Sequence, residues 1–78
     1  MVSAYILVQT SVGKAQEVSG AIGKVAGVVS CHDVTGPYDI IVQVETQDMD
    51  SLGQLVALHV QSIPGITRTV TCPVVNLA

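Results

Sequence analysis

Along the chain the apolar positions switch between an extended and a helical period, and each switch marks an element. Val2 to Val8 is a β-rich run, nearly continuous in apolar character, as a central strand covered on both faces would be. From Gly13 the spacing becomes helical. Ala15, Val18, Ile22 and Val25 recur on one side, with Lys14, Gln16, Glu17 and Lys24 on the other. Gly20 and Gly23 inside this helix each cost about 1 kcal/mol relative to Ala. Packing must therefore hold the helix, and the small residues predict a close approach to the sheet. Gly27 stops the helix, and Val28 to Val34 is extended again, with the interleaved polar residues of an edge strand. In the next strand Ile40, Val42 and Val44 line one face, and Ile41, Gln43 and Glu45 the other. Asp48 or Asp50 is placed to cap a second helix whose apolar stripe is Met49, Leu52, Leu55, Val56, Val60 and Ile63. Pro64-Gly65 ends it. Ile66 to Val74 is a Thr- and Val-rich last strand, with Pro73 marking an edge, and Asn76-Leu77-Ala78 reads as a frayed tail.

The two halves echo each other at the same joint: Val25-Ala26-Gly27-Val28 matches Ile63-Pro64-Gly65-Ile66. Two split βαβ halves with right-handed crossovers give an α+β fold, the ferredoxin-like βαββαβ sandwich. It has a four-stranded antiparallel sheet, strands one and three central and two and four at the edges, with both helices on one face. The other face, read as Thr and aliphatic positions, has nothing in the chain to cover it. Composition sharpens that point. With 78 residues, 49% hydrophobic and only 12% charged, the chain carries more apolar material than one small core hides, so a second copy is expected on the open face.

Charge and cysteine usage narrow the function classes. Three Lys+Arg against six Asp+Glu give a net charge of −3, without a basic cluster or an aromatic platform, which disfavours direct nucleic-acid binding. Cys31 and Cys72 are too few for a secreted disulfide scaffold and lack metal-site spacing, so reduced thiols in a cytoplasmic protein are expected. No basic leader precedes an apolar segment, and no apolar run approaches the roughly 20 residues that span a bilayer. The chain reads as one domain over residues 1–78 that is neither exported nor membrane-spanning.

The candidate chemistry sits in Val34-Thr35-Gly36-Pro37-Tyr38-Asp39-Ile40, where a turn signal, an aromatic and a carboxylate meet between two apolar runs. One reading is a plain hairpin turn. The other is a binding site, with Asp39 holding the ammonium end of a small zwitterion and backbone N–H groups freed by the Gly turn holding its carboxylate. The remaining titratable residues add little. His32 and His59 have no second ligand at metal spacing, and His59, in the middle of the second helix's stripe, is expected to be partly buried and hydrogen-bonded. Cys31 and His32 are adjacent on a strand, so they point to opposite faces and form no dyad. Asp33 and Asp39 flank the turn without the other groups that catalysis needs. Arg68, between Thr67 and Thr69, is expected in a surface or intersubunit ion pair. No metal or cofactor site emerges, and the residues describe a binding module.

The string from Ser30 to Val42, followed by Ile63-Pro64-Gly65-Ile66-Thr67-Arg68-Thr69, resembles the effector-binding domain of the Lrp/AsnC transcriptional regulators, also called the regulation-of-amino-acid-metabolism domain. The resemblance runs from Val2 to about Val74 and rests on the pairing of Val34-Thr35-Gly36-Pro37-Tyr38-Asp39 with the Pro-Gly-Ile joint. It implies dimers through the sheet faces, rings of dimers, and a small amino acid bound between dimers. The matching site residues are Gly36, Tyr38 and Asp39, with Thr67 and Thr69 on the last strand as further contributors. Family members carry a helix-turn-helix before this domain, whereas here only Met1 precedes strand one. A stand-alone sensor is therefore expected, acting alone or co-assembling with full-length Lrp/AsnC regulators. Two other readings stay open. One is a small dimeric enzyme of the cofactor-free monooxygenase or isomerase type, with His59 facing a cavity between sheet and helices. The other is an oligomerisation module that binds no ligand.

Overall fold

The computed structural model describes residues 1–75; the tail expected at Asn76-Leu77-Ala78 lies outside them. The elements follow in the order β1 (Val2–Thr10), α1 (Ala15–Ile22), β2 (Val28–Asp33), β3 (Ile40–Thr46), α2 (Met49–Gln54) and β4 (Ile66–Pro73). All sheet pairings are antiparallel and the strand order is β2-β3-β1-β4. Both α1 and α2 pack on one face, which is the ferredoxin-like sandwich that the periodicity predicts. Alternation decides which side chains enter the core. Ala4, Ile6 and Val8 of β1 and Ile40, Val42 and Val44 of β3 are fully buried beneath Val18, Ile22, Leu52, Leu55 and Val60. Among the described residues no polar or charged side chain is buried.

The joint repeated in the sequence is repeated in space. Val28 N–H donates to Val25 C=O and Ile66 N–H to Ile63 C=O, closing a turn in each half whose third residue, Gly27 or Gly65, has a φ near +100°. Only glycine adopts that conformation at no steric cost, and Pro64 suits the second position of such a turn. A Cβ on Gly27 would also lie 2.8 Å from Leu55 Cδ1, and one on Gly65 3.0 Å from Val18 Cγ2, so each joint is held close against the other half's helix. The equivalence extends further. Gly27 C=O accepts from Glu45 N–H at 2.9 Å and Gly65 C=O from Ser11 N–H at 2.8 Å. In both edge strands the register then slips by one residue, at Val29 in β2 and at Thr67 in β4.

Several expectations change. Helix α1 stops at Ile22 with Gly23 as its cap, and Val25 packs against the core from the turn beyond. Gly20 does not approach the sheet, because a Cβ there would meet nothing within 4 Å. Asp48 is the cap of α2, its Oδ1 accepting from Ser51 N–H at 2.7 Å, and Met49 is exposed rather than part of the stripe. Beyond Gln54 the helix widens into a π-helical segment, Leu55–Val60. An α-helical continuation from Leu52 and Leu55 would turn residue 59 inward. Val60, expected in the stripe, is buried, and the wider turn leaves His59 exposed with no hydrogen bond to its side chain among the described residues.

The open face also differs in composition. Register places Tyr5, Leu7, Ile41, Gln43, His32, Val70 and Cys72 there, whereas Thr69 and Thr71 stand opposite Val8 and Ile6 on the helix side. The Thr residues of β4 therefore do not line the open face, which is aliphatic and aromatic at its centre. Cys31 pairs with Val42 and His32 with Ile41, so the two do point to opposite faces. Both cysteines are free, on strands at opposite edges. Val74 N–H donates to Ser3 C=O at 2.8 Å, so alternate residues of β4, Pro73 among them, turn their backbone groups away from β1. The missing N–H of Pro73 thus falls on the free edge, where it costs no ladder bond.

Candidate functional site

The connection between β2 and β3 spans residues 34–39 and is closed by Val34 N–H donating to Asp39 C=O at 2.9 Å. Gly36 turns the chain with a φ of 140° in open space. Asp39 is then fixed from three sides. Its N–H donates to Val8 C=O at 2.9 Å, and its carboxylate Oδ2 accepts from Thr10 N–H at 2.8 Å and from Thr10 Oγ1 at 3.2 Å. Backbone alternation explains the second contact: Ser11 N–H is turned to β4, where it bonds Gly65 C=O, so Thr10 N–H is turned to the β3 side, beyond the last β1–β3 pair at Val8 and Ile40, and the carboxylate supplies the acceptor. Among the described residues no group bonds Asp39 Oδ1. The side chain is half-buried, so the result is a pre-oriented carboxylate with one oxygen left for a ligand.

The other expected site residues fall on two sides of the sheet. Tyr38 is half-buried on the open face, in a mainly apolar concavity of about 370 Å³ with Leu7, Val34, Thr35, Pro37 and Ile41. Thr67 and Thr69 line a second, polar concavity of about 200 Å³ with Gln61, Ile66 and Arg68. One chain therefore does not gather all five residues into one pocket. Gly36, Tyr38 and Asp39 belong to one loop and Thr67 and Thr69 to β4, with the end of β1 between them. Gln9 bridges the gap: its Nε2 donates to Pro37 C=O at 3.4 Å and its backbone C=O accepts from Thr67 Oγ1 at 3.1 Å. Thr69 Oγ1 accepts from Gln61 Nε2 at 3.3 Å. Gln9, Thr10 and Gln61 are absent from the sequence-based site. The Asp39–Thr10 bond joins positions 29 residues apart and Thr67–Gln9 positions 58 apart, so no local spacing reveals Gln9 or Thr10, whereas Gln61 lies eight residues before Thr69.

Among the described residues no group of three or more His, Cys, Asp or Glu side chains could hold a metal, and Arg68 makes no ion pair. No helix of the described residues is long and apolar enough to cross a membrane. The residue on which an enzyme reading leans, His59, is exposed and lines, with Gly27, Glu45, Ser51 and Leu55 among others, an open concavity of about 360 Å³ at the end of β3.

Fold and site together define a small α+β binding domain, with a fixed carboxylate at a strand mouth and no catalytic set among the described residues. Comparison with known proteins gives the family: the chain belongs to the Lrp/AsnC ligand binding domain family, whose profile matches residues 3–77. This is a family of regulatory domains rather than enzymes, and its related proteins are named as transcriptional regulators. The HTH-type transcriptional regulator FL11 of Pyrococcus horikoshii is 35% identical over 68 residues, a match covering 87% of this chain and 44% of the regulator. The chain thus spans about half the length of the curated relatives it matches. The crystal structure of FFRP-DM1 is 35% identical with a TM-score of 0.92, covering 96% of this chain and 100% of that one. The transcriptional regulator NMB0573 from Neisseria meningitidis, solved as an L-Met complex, shares the fold at 24% identity with a TM-score of 0.86, over 97% of this chain and 51% of that one.

Proposed function

We propose that this domain senses an amino acid and regulates transcription or amino-acid metabolism through its assembly. The observation that carries the reading is the Asp39 carboxylate, held by Thr10 through one oxygen and open at the other. An α-ammonium group fits the open oxygen. The backbone around Gly36 meets the ligand's carboxylate, and Tyr38 offers an aromatic wall. Thr67 and Thr69 complete the site from a neighbouring copy, which accounts for the two half-sites lying apart in one chain. L-Met in NMB0573 supports the ligand class, since that protein shares the fold. The open sheet face, with Tyr5 42% exposed at its centre, supports a homodimer through that face, and dimers then form rings. The regulators among the relatives support a cytoplasmic role, alone or mixed with full-length members of the family.

A thermal-shift screen of the twenty amino acids tests the reading. A ligand at 100 times its dissociation constant adds about 2.7 kcal/mol of stability, which raises the midpoint by several degrees. At least one amino acid is expected to do so. If none shifts the midpoint at millimolar concentration, the open face alone would favour an oligomerisation module.

A further inference from the structure

We infer that the free edge of β4 is a docking site for β4 of a second copy, and that dimers built on the open face join through this antiparallel pairing. The inference rests on the dimer proposed above and deepens it by naming the contact between dimers. β4 is an outer strand of the sheet. Val74 N–H donates to Ser3 C=O, so Cys72 and Val70 share its phase and face β1, whereas Thr69, Thr71 and Pro73 turn their backbone groups outward. Beside them runs a mainly apolar groove of about 260 Å³ between β4 and the second helix, lined by Met49, Gly53, Val56, Ala57, Thr71 and Pro73. Small residues keep it open: a Cβ on Gly53 would meet nothing within 4 Å. An unpaired strand edge beside an apolar groove is the combination that takes up an added strand, with main-chain bonds giving affinity and alternate side chains entering the groove.

Charge and the pattern of the edge set the occupant. No charged residue lines the groove, so a charge entering it would lose water without gaining a partner. β4 itself is uncharged from Thr69 through Val75, and Val74 and Val75 at its end are exposed, as is Met49 in the groove. The other free edge, β2, carries His32 and Asp33 and is broken by its register slip. A two-fold axis that sets Thr69 opposite the partner's Thr71 lets the two exchange N–H···O=C bonds, and it repeats the exchange between Thr71 and the partner's Thr69. Pro73 then falls opposite the partner's Thr67, where the register slip already ends regular pairing, so its missing N–H interrupts no exchange. Arg68 falls opposite the partner's Cys72, so no like charges meet. The pairing is short and too small to hold two single chains together at micromolar concentration. It joins dimers because each dimer presents two such edges.

Light scattering after size-exclusion chromatography of the wild type, Thr71→Pro and Ala57→Glu tests this. Proline at position 71 removes an outward N–H and no bond within the chain, and Ala57 is exposed, so both variants are expected to fold and to keep the open face. The wild type is expected at twice the mass of a dimer or more, and each variant at the dimer mass. A wild type that stays dimeric would overturn the pairing and leave the open-face dimer standing, whereas a monomeric wild type would overturn both. Variants that keep the wild-type circular dichroism and assemble beyond the dimer as the wild type does would also overturn the pairing. Should Thr71→Pro fail to fold, Ala57→Glu decides alone. The amino-acid reading is separate from these outcomes and stands or falls by the thermal-shift screen.

Discussion

Asp39 and Thr10 show how a turn becomes a site. A Gly-x-x-Asp turn needs no carboxylate for its backbone path, since Val34 N–H and Asp39 C=O close the loop. The side chain is free to act elsewhere, and it bonds Thr10 across the sheet. Thr10→Val removes one of the two donors and keeps the N–H bond, so a loss of about 0.5–1.5 kcal/mol is expected in chemical denaturation. No loss at all would mean that the hydroxyl contact contributes nothing in solution. Asp48 is the other carboxylate with a defined task. Its bonds to the backbone N–H and hydroxyl of Ser51 hold its carboxyl below the usual carboxylate range, the larger effect coming from the backbone bond. A folded-state pKa that is lowered contributes stability above the unfolded value, and that contribution is lost as pH falls through the folded one. Asp48→Ala should therefore lower the midpoint at neutral pH, and the gap to the wild type should close as the solution is acidified below the carboxylate range. A gap that persists in acid would deny the cap its charge. The sequence names both aspartates, Asp48 as one of two possible caps and Asp39 at the turn. It is silent on Thr10 because the bond is non-local.

At the scale of elements, the sequence period carries the order of strands and helices and the repeated glycine joint. It does not carry the π-helical turn. The residues from Leu52 to Ile63 fit an α-helical stripe well enough, and the extra residue in the turn at Leu55–Val60 comes from tertiary packing, which seats Leu55 and Val60 together in the core. His59, set in the middle of that stripe by the α period, is exposed. Gly20 is misjudged for a separate reason: a glycine inside a helix reads as a close contact, yet here it faces open space. Gly20→Ala should accordingly stabilise the protein by about 0.5–1 kcal/mol, because alanine loses less backbone freedom on folding and meets nothing. Urea unfolding checks it. A destabilised variant would place another chain against that side of α1.

The whole molecule is a one-sided sandwich. Its helices bury the face carrying Ile6, Ile40 and Val42, while Leu7, Ile41 and Val70 stand opposite with no cover among the described residues. Composition alone signals this excess of apolar surface, although the Thr residues credited to the open face lie on the other side. The wild type should be at least dimeric by light scattering at micromolar concentration, and Ile41→Lys, which puts an unpaired charge into the shared face, should be monomeric. A monomeric wild type would leave the open face unexplained. Cys31 and Cys72 lie on opposite edge strands, three spacings of about 4.8 Å apart, beyond the roughly 7 Å that a disulfide spans between Cα atoms. Both should react with a thiol probe after unfolding without reductant.

Binding of an amino acid at Asp39 is the central claim, and calorimetric titration of the wild type beside Asp39→Asn measures it most directly, using whichever amino acid raises the wild-type midpoint. Asparagine keeps the shape and can still accept from Thr10, so fold and assembly should be retained. Only the charge facing the ammonium group is lost. Charge-assisted hydrogen bonds contribute about 1.5–3 kcal/mol, so affinity should fall by about one to two orders of magnitude. Equal affinities in the two proteins, with the variant's fold and mass intact, would contradict the account and remove Asp39 from the site.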